Sequence, residues 1–133
     1  MINKIYNYPD LERIEKNGLR FYLDSLNNPV PSVTTVLSET SEKSFDIKKW
    51  KLKVGEAEAE RIKNEATTIG TAVHEALEQY LYGKDWNNFN SSKEHQIAAR
   101  ITKKFIESGL DGIEEVWGLE SGLVLDGLYA GTA

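Results

Sequence analysis

Hydrophobic residues recur at helical spacing through the middle of the chain. Over residues 69–81 they follow the i, i+3, i+4, i+7 pattern of an amphipathic helix with one buried stripe. Residues 93–108 repeat this pattern, and the apolar side chains predicted to face inward there are Ile97, Ile101 and Phe105. The middle of the chain therefore predicts two amphipathic helices, joined by the polar loop "DWNNFNSS".

Shorter helical patterns precede these two helices. Ser32 follows a proline and stands before "VTTVL", which is the placement of an N-cap, so a short helix is predicted to begin there. A second helix is predicted over residues 45–54, in which Ile47 and Trp50 are spaced to share one face. Residues 56–67 are rich in strong helix formers and predict either a third helix or a kinked extension of the second.

The patterns near the two ends of the chain predict strands. Residues 19–25 alternate as a strand does, and the turn-forming residues 27–31 would end it. Residues 113–133 contain "IEEVWGLES" and "GLVLDGLYAGTA", which predict the two strands of a hairpin. An edge strand at residues 128–133 would expose unpaired backbone groups, so we expect self-association through that edge.

The order of these elements predicts the fold class. Residues 1–133 are expected to form a single α/β domain, in which helices precede and pack on a small, mostly antiparallel or mixed sheet. A strand and turn lead-in would cover residues 1–30, a helical region residues 31–110, and the hairpin residues 113–133.

Composition narrows the classes of protein that remain. The net charge of −5 is the wrong sign for coating nucleic acid by bulk attraction, so any contact with a phosphate backbone would have to be local. The lysines of residues 48–53 are one local candidate, although a charge run of this kind is also typical of a solvated helix face. The chain has no cysteine, which excludes disulfides and thiolate metal sites. It has no long apolar run and no signal-like start, so we expect no membrane association and a cytoplasmic location.

The two histidines differ in what their positions predict. His74 lies on the flank of the stripe, with Gly70 one turn before it and Glu78 one turn after it. One prediction is that His74 is half-buried and bonded to Glu78. The other is that it binds a ligand, which could approach the imidazole because Gly70 has no side chain. A zinc site built on His74 and Glu78 is a third alternative, but no second histidine or cysteine stands at ligand spacing. His95 opens a polar helix and is predicted to be structural or to face solvent.

Two acids in the predicted hairpin are the other candidates. Glu120 follows Val116, Trp117 and Leu119 in a segment otherwise suited to burial, so its carboxylate is either on the solvent face or directed into a site. The spacing leaves both alternatives open. Asp126 is predicted to serve the turn.

Four motifs occur in a fixed order along the chain. They are "PSVTTVL" at residues 31–37, Trp50 with the following "VGEAEAERI", "IGTAVHEALEQYL" at residues 69–81, and "GLESGLVLDGLYAGTA" at residues 118–133. In this order they resemble the amino-terminal half of the RecB-like exonucleases of the PD-(D/E)XK nuclease superfamily. The likeness is greatest for phage exonucleases and the mitochondrial genome maintenance exonuclease, and it covers nearly the whole chain from about residue 31.

The resemblance implies a magnesium- or manganese-dependent exodeoxyribonuclease of DNA recombination or repair. His74 matches the family's metal-binding histidine, and the second metal-ligand position falls on Glu120. The residues expected to contact DNA, as a single strand or a duplex end, are Lys49, Lys53 and Thr71. The expected fold is an incomplete PD-(D/E)XK nuclease core, in the host cytoplasm if the gene belongs to a phage.

One departure from the family pattern limits what these residues can do alone. The family places its first catalytic aspartate one variable residue after "AGT", and here that variable residue is Ala133, the last one. We therefore expect a chain truncated before the catalytic aspartate, the following acid and the lysine, inactive by itself and weak in binding Mg²⁺ or Mn²⁺. The alternative is a non-catalytic module that binds DNA or a protein on a nuclease-like scaffold.

Overall fold

The structure is a computed structural model, and it describes residues 2–3, 5–41 and 43–133, without the side chains of residues 43–45. It consists of helices and short antiparallel strands. The strands are β1 Arg13–Lys16, β2 Leu19–Leu23, β3 Pro29–Pro31, β4 Gly122–Leu125 and β5 Tyr129–Thr132. The helices are α1 Val33–Thr40, α2 Lys43–Val54, α3 Glu56–Leu81 and α4 Lys93–Lys104, which is followed by a π-helical turn at Phe105–Gly109. The α/β class is therefore confirmed, whereas the nuclease core stays a prediction.

The chain divides into two compact units. The helical unit contains Met1–Asn3 and Lys51–Trp117, and the sheet unit contains Lys4–Trp50 and Gly118–Ala133. The interpretation of residues 1–133 as a single domain stays a prediction.

The sheet unit contains more strands than the sequence pattern predicted. Its first three strands pair antiparallel in the order β1-β2-β3, although only β2 was predicted. In β1 the sequence "RIEK" is mostly charged, and β3 includes two prolines, which sequence rules place in turns or at sheet edges. Neither strand carries an alternating pattern, so it was the pairing with β2 that specified them.

The hairpin is shorter than predicted and lies nearer the carboxyl end. Both β4 and β5 belong to "GLVLDGLYAGTA" and pair antiparallel through a turn at residues 126–128, with Gly127 at φ 75°. The other predicted strand, "IEEVWGLES", is irregular apart from an isolated bridge between Val116 and Ile2. Glycine and bend positions at residues 118–121 interrupt it, so that part of the prediction was wrong.

β5, which contains most of the edge that the sequence predicted at residues 128–133, has a second neighbour at one position. Ala130 pairs with Val124 of β4 and also forms a parallel bridge with Ser32, so β5 has neighbours on both sides at that position. Ala130 is 1% exposed and packs in a small core with Tyr22 and Val30. Self-association through residues 128–133 stays a prediction.

Ser32 caps α1, as its position predicted. Its Oγ accepts a hydrogen bond from the Thr35 N–H at 3.0 Å. The Thr35 hydroxyl in turn donates to the Arg20 carbonyl at 2.9 Å, which ties the first turn of α1 to β2. Two residues of "PSVTT" therefore have a structural role in holding the helix on the sheet.

The helical unit is built on α3 and α4, which pack on each other. Residues 56–67 form neither a separate helix nor an extension of α2. They are the first part of α3, which runs without interruption from Glu56 to Leu81. The buried positions of α3 are small, namely Ala59, Ala72 and Ala76. Small side chains let the two backbones approach closely, so this interface is made by alanines more than by large apolar residues.

The inward face predicted for α4 was one residue out of place. Ala98 and Thr102 are fully buried, whereas Ile101 and Phe105 are 44% and 45% exposed. Because Ala98 and Thr102 lie one turn apart, they define the packed stripe, and the larger apolar residues fall on its flank.

We expect Thr102→Val to stabilise the helical unit. Among the described residues, the Thr102 hydroxyl oxygen is buried and has no hydrogen-bond partner. Valine has nearly the same shape and removes the cost of that unsatisfied group, so the free energy of unfolding should rise by about 1 kcal/mol. Chemical denaturation followed by circular dichroism measures this, and an unchanged or lower midpoint would contradict the assignment.

In the part of the chain that the structure describes, no helix combines the length and the apolar character that a membrane span requires.

Candidate functional site

The exposed face of α3 carries two of the predicted site residues, His74 and Thr71. A shallow, open depression of about 470 Å³ follows this face, and it is lined by Thr67, Gly70, Thr71, His74, Glu75 and Glu78. These positions recur at helical spacing, so successive turns present a hydroxyl, an imidazole and carboxylates on the same side. The face therefore offers oxygen and nitrogen donors that suit a cation, and hydroxyl donors that suit a phosphate.

Gly70 keeps the surface beside His74 open. A Cβ atom built at residue 70 would meet no neighbouring atom within 4 Å. His74 is exposed and Glu78, one turn later, is partly buried, and the predicted bond between the two side chains stays a prediction. The imidazole is accessible to a ligand from solvent.

Glu120 does not lie in a strand, which corrects the position predicted for it. The residue sits at a bend with φ 49°, in the left-handed region that side chains other than glycine seldom adopt. Backbone pairing with β5 begins only at the next residue, where the Ser121 N–H donates to the Ala133 carbonyl at 2.8 Å. Glu120 is exposed, which favours the solvent-facing alternative over a carboxylate buried in the hairpin.

The two predicted metal ligands belong to different units. His74 lies in the helical unit and Glu120 in the sheet unit, so their convergence on one cation stays a prediction. Across residues 2–3, 5–41 and 43–133, no group of three histidine, aspartate or glutamate side chains is arranged to hold a metal ion. Because Mg²⁺ prefers about six oxygen ligands, these residues do not fit a complete magnesium site by themselves.

The two lysines predicted to contact DNA lie on α2. Lys49 and Lys53 are exposed, as are all residues from Asp46 to Lys53. Their neighbours on this helix include Trp50, whose spacing from Ile47 predicted that the two side chains share one face. Both side chains are exposed, Trp50 at 38% and Ile47 at 54%.

His95 and Asp126 have the structural roles that their positions predicted. The Asn90 N–H donates to Nδ1 of His95 at 3.4 Å, and the Phe89 ring meets the imidazole edge to face. Asp126 lies in the β4–β5 turn, where its Oδ1 accepts from the Ser25 N–H at 3.0 Å. His95 therefore organises the loop before α4, and Asp126 joins two turns of the sheet unit.

A second concave surface, in the sheet unit, is apolar. Its volume is about 470 Å³, and it covers the outer face of the hairpin, where Leu123, Leu125 and Tyr129 are about half exposed. Among the described residues that line it, Arg20 is the charged side chain, and no acid or histidine is present. This surface has no group suited to binding a cation.

Sequence reasoning missed Asp24, which organises the sheet unit. The side chain is 5% exposed, and its two oxygens accept from the backbone N–H groups of Leu26, Asn28 and Gly127 at 2.9–3.0 Å. The Asn28 N–H is the main reason that the pKa of Asp24 lies below its usual value, and the Gly127 and Leu26 N–H groups lower it further against the effect of burial. An aspartate followed by "SLNN" was the available signal, since aspartates commonly bond to the backbone of the turn they begin.

Comparison with known proteins found no match among family models, curated proteins or solved structures. The resemblance to RecB-like exonucleases therefore stays a hypothesis carried by the motifs, and the site is argued from its own residues.

Proposed function

We propose that this chain supplies the histidine-bearing helix and a DNA-contacting helix of a metal-dependent DNA exonuclease of the PD-(D/E)XK type. The observation that carries the proposal is the exposed face of α3, where His74 lies beside the open position Gly70 and is flanked by Thr71 and two glutamates. This is the helix of the "GTAVHE" motif on which the resemblance chiefly depends. A ligand from solvent can reach the imidazole there without displacing a side chain at residue 70.

The ligand chemistry of this face favours manganese over magnesium. Imidazole nitrogen binds transition ions more readily than it binds Mg²⁺, which prefers carboxylate, carbonyl and water oxygens. His74 would bind the cation, Glu120 would add a carboxylate, and Thr71 would donate to a phosphate oxygen. When bound, the cation would activate water for phosphodiester hydrolysis and neutralise charge on the phosphate.

These residues alone do not complete that site. Among the described residues, His74 does not belong to a group of three histidine, aspartate or glutamate side chains that could hold a metal ion. The family's catalytic lysine also has no counterpart in these residues. We therefore expect the 133-residue chain to bind Mn²⁺ weakly and to show no hydrolysis of DNA above background.

The experiment that tests the proposal uses the protein encoded by the complete open reading frame that contains this sequence. Labelled single-stranded DNA should be shortened stepwise from an end in the presence of Mn²⁺, and chelation with EDTA should stop the reaction. Absence of any Mn²⁺-dependent shortening, with single strands or duplex ends, would contradict the proposal.

A second function is favoured by a different observation. The helix α2 exposes several lysines around Trp50, an arrangement suited to holding nucleic acid without a metal. A non-catalytic DNA-binding module would bind DNA equally well with and without Mn²⁺ and would be indifferent to the loss of His74. Hydrolysis separates the two functions, because the exonuclease should shorten DNA in Mn²⁺ and lose that activity in His74→Ala, whereas the non-catalytic module should shorten no DNA.

A further inference from the structure

The solvent-exposed helix α2 combines positive charge with large apolar side chains. Between Asp46 and Lys53 every side chain is exposed, and the large apolar ones among them are Ile47, Trp50 and Leu52, at 54%, 38% and 86% exposure. Exposing several large apolar side chains on one short helix costs free energy, so such a surface is informative. A helix of this length is also marginal in water unless something packs on it.

The arrangement of these side chains around the helix is not random. At about 100° per residue, Trp50 and Ile47 lie on one side of α2, about 60° apart. On one flank of Trp50 lie Asp46, Lys53 and Lys49, about 40°, 60° and 100° away, and Lys51 falls next to Ile47 on the other flank. An aromatic ring is thereby placed in a stripe that has lysine ammonium groups along both of its sides.

Charge selects the class of partner for this stripe. Residues 46–53 contain four lysines and one aspartate, whereas the whole chain carries a net charge of −5. A local positive helix on an acidic protein attracts a polyanion to this one place and repels it elsewhere. The partner must therefore be a polyanion that also offers flat apolar surface to an indole ring.

We infer that α2 binds single-stranded nucleic acid, with a base stacked on Trp50 and the backbone phosphates paired with the flanking lysines. Single strands satisfy both requirements because their bases are free to stack on aromatic side chains, whereas in a duplex the base faces are covered by neighbouring bases. The inference deepens the proposed function by naming the strand state that is bound and the side chain that recognises it. It does not depend on a metal ion.

The test is a binding assay in EDTA, so that metal chemistry plays no part. The probe is an oligothymidylate of roughly 12 nucleotides, compared with a duplex of equal length. The wild-type chain should bind the single strand more tightly than the duplex, and its tryptophan fluorescence should be quenched. Trp50→Ala should weaken binding by about 10-fold and remove most of the quenching.

Matched variants make the result specific to this face. Leu52 lies about 160° around the helix from Trp50, so Leu52→Ala should leave the affinity unchanged. Trp117 is a second exposed tryptophan, at 48%, and Trp117→Phe should keep both the affinity and the quenching by the oligonucleotide. Lys53→Ala should lower the slope of log affinity against log salt concentration by about 0.7, as expected for one phosphate contact with a single strand.

Several outcomes would overturn the inference. They are equal affinity of Trp50→Ala and wild type, binding of the duplex as tightly as the single strand, and binding of phosphatidylserine vesicles without binding of oligothymidylate. If Trp50→Ala loses helicity by circular dichroism, Trp50→Phe replaces it and should retain part of the affinity. Mn²⁺-dependent hydrolysis is measured separately from this binding assay, so its absence would bear on the proposed function alone.

Discussion

Replacing His74 by alanine should lower Mn²⁺-dependent DNA hydrolysis by about 100-fold in the protein encoded by the complete open reading frame. The imidazole is exposed on α3, beside a glycine that leaves its approach open. If it binds the cation, its loss removes the ligand that favours a transition ion. Activity in Mn²⁺ should therefore fall further than activity in Mg²⁺. The measurement is the initial rate of shortening of labelled single-stranded DNA in each metal.

The second histidine provides the matched control for this prediction. His95 accepts a hydrogen bond from Asn90 and lies against Phe89, so it has a structural role outside the α3 face. His95→Gln should keep the rate within about threefold of wild type, because a local packing change costs little. An equal loss in both variants, or no loss in His74→Ala, would show that His74 has no special part in hydrolysis.

The largest effect on stability is expected from Asp24→Ala. That carboxylate accepts three backbone hydrogen bonds and links the β2–β3 loop to the β4–β5 turn through Gly127. Alanine would leave these N–H groups without their acceptor, and the bond from Ser25 to Asp126 would remain as a side-chain link between the two turns. The midpoint of thermal unfolding should fall by about 10 °C, measured by circular dichroism. Asp10 is exposed in the same unit, and Asp10→Ala should change the midpoint by about 2 °C or less.

The contribution of Asp24 should also depend on pH in a defined direction. Hydrogen bonds from Asn28, Gly127 and Leu26 lower the pKa of the folded carboxyl below its usual 3.8. A lowered pKa means that the folded state favours the charged form, so the stabilisation is complete above that usual value and is lost as the pH falls through the folded pKa. The difference in unfolding midpoint between wild type and Asp24→Asn should be constant near neutral pH and should shrink below about pH 4. A difference that grows in acid would contradict the assignment.

Local signals were sufficient to predict most helices. Ser32 caps α1 through a side-chain bond to the Thr35 N–H, and such a contact within three residues is visible in sequence. The apolar period of residues 69–81 likewise predicted the carboxyl-terminal part of α3. The buried face of α4 was predicted wrongly because its packed residues, Ala98 and Thr102, are small. The prediction had instead relied on the larger apolar side chains of Ile101 and Phe105.

Strands and site geometry depended on contacts that are distant in sequence. β1 and β3 have little strand character of their own and exist because β2 pairs with both. Glu120 was placed in a strand because apolar residues precede it, whereas the chain bends there before pairing begins at Ser121. The spacing of Ile47 and Trp50 predicted that they share one face of α2, but spacing cannot tell whether another element covers that face, and both side chains are exposed.

The proposed site requires His74 and Glu120 to share one cation, and a Mn²⁺ titration of the ¹⁵N-labelled chain tests this most directly. Paramagnetic Mn²⁺ broadens the amide signals of nearby residues. We predict that the signals of residues 73–75 and 119–121 broaden together at the same Mn²⁺ concentration, and that His74→Ala removes the broadening at both segments. Broadening at one segment alone, or broadening around residue 120 that persists in His74→Ala, would contradict the shared site.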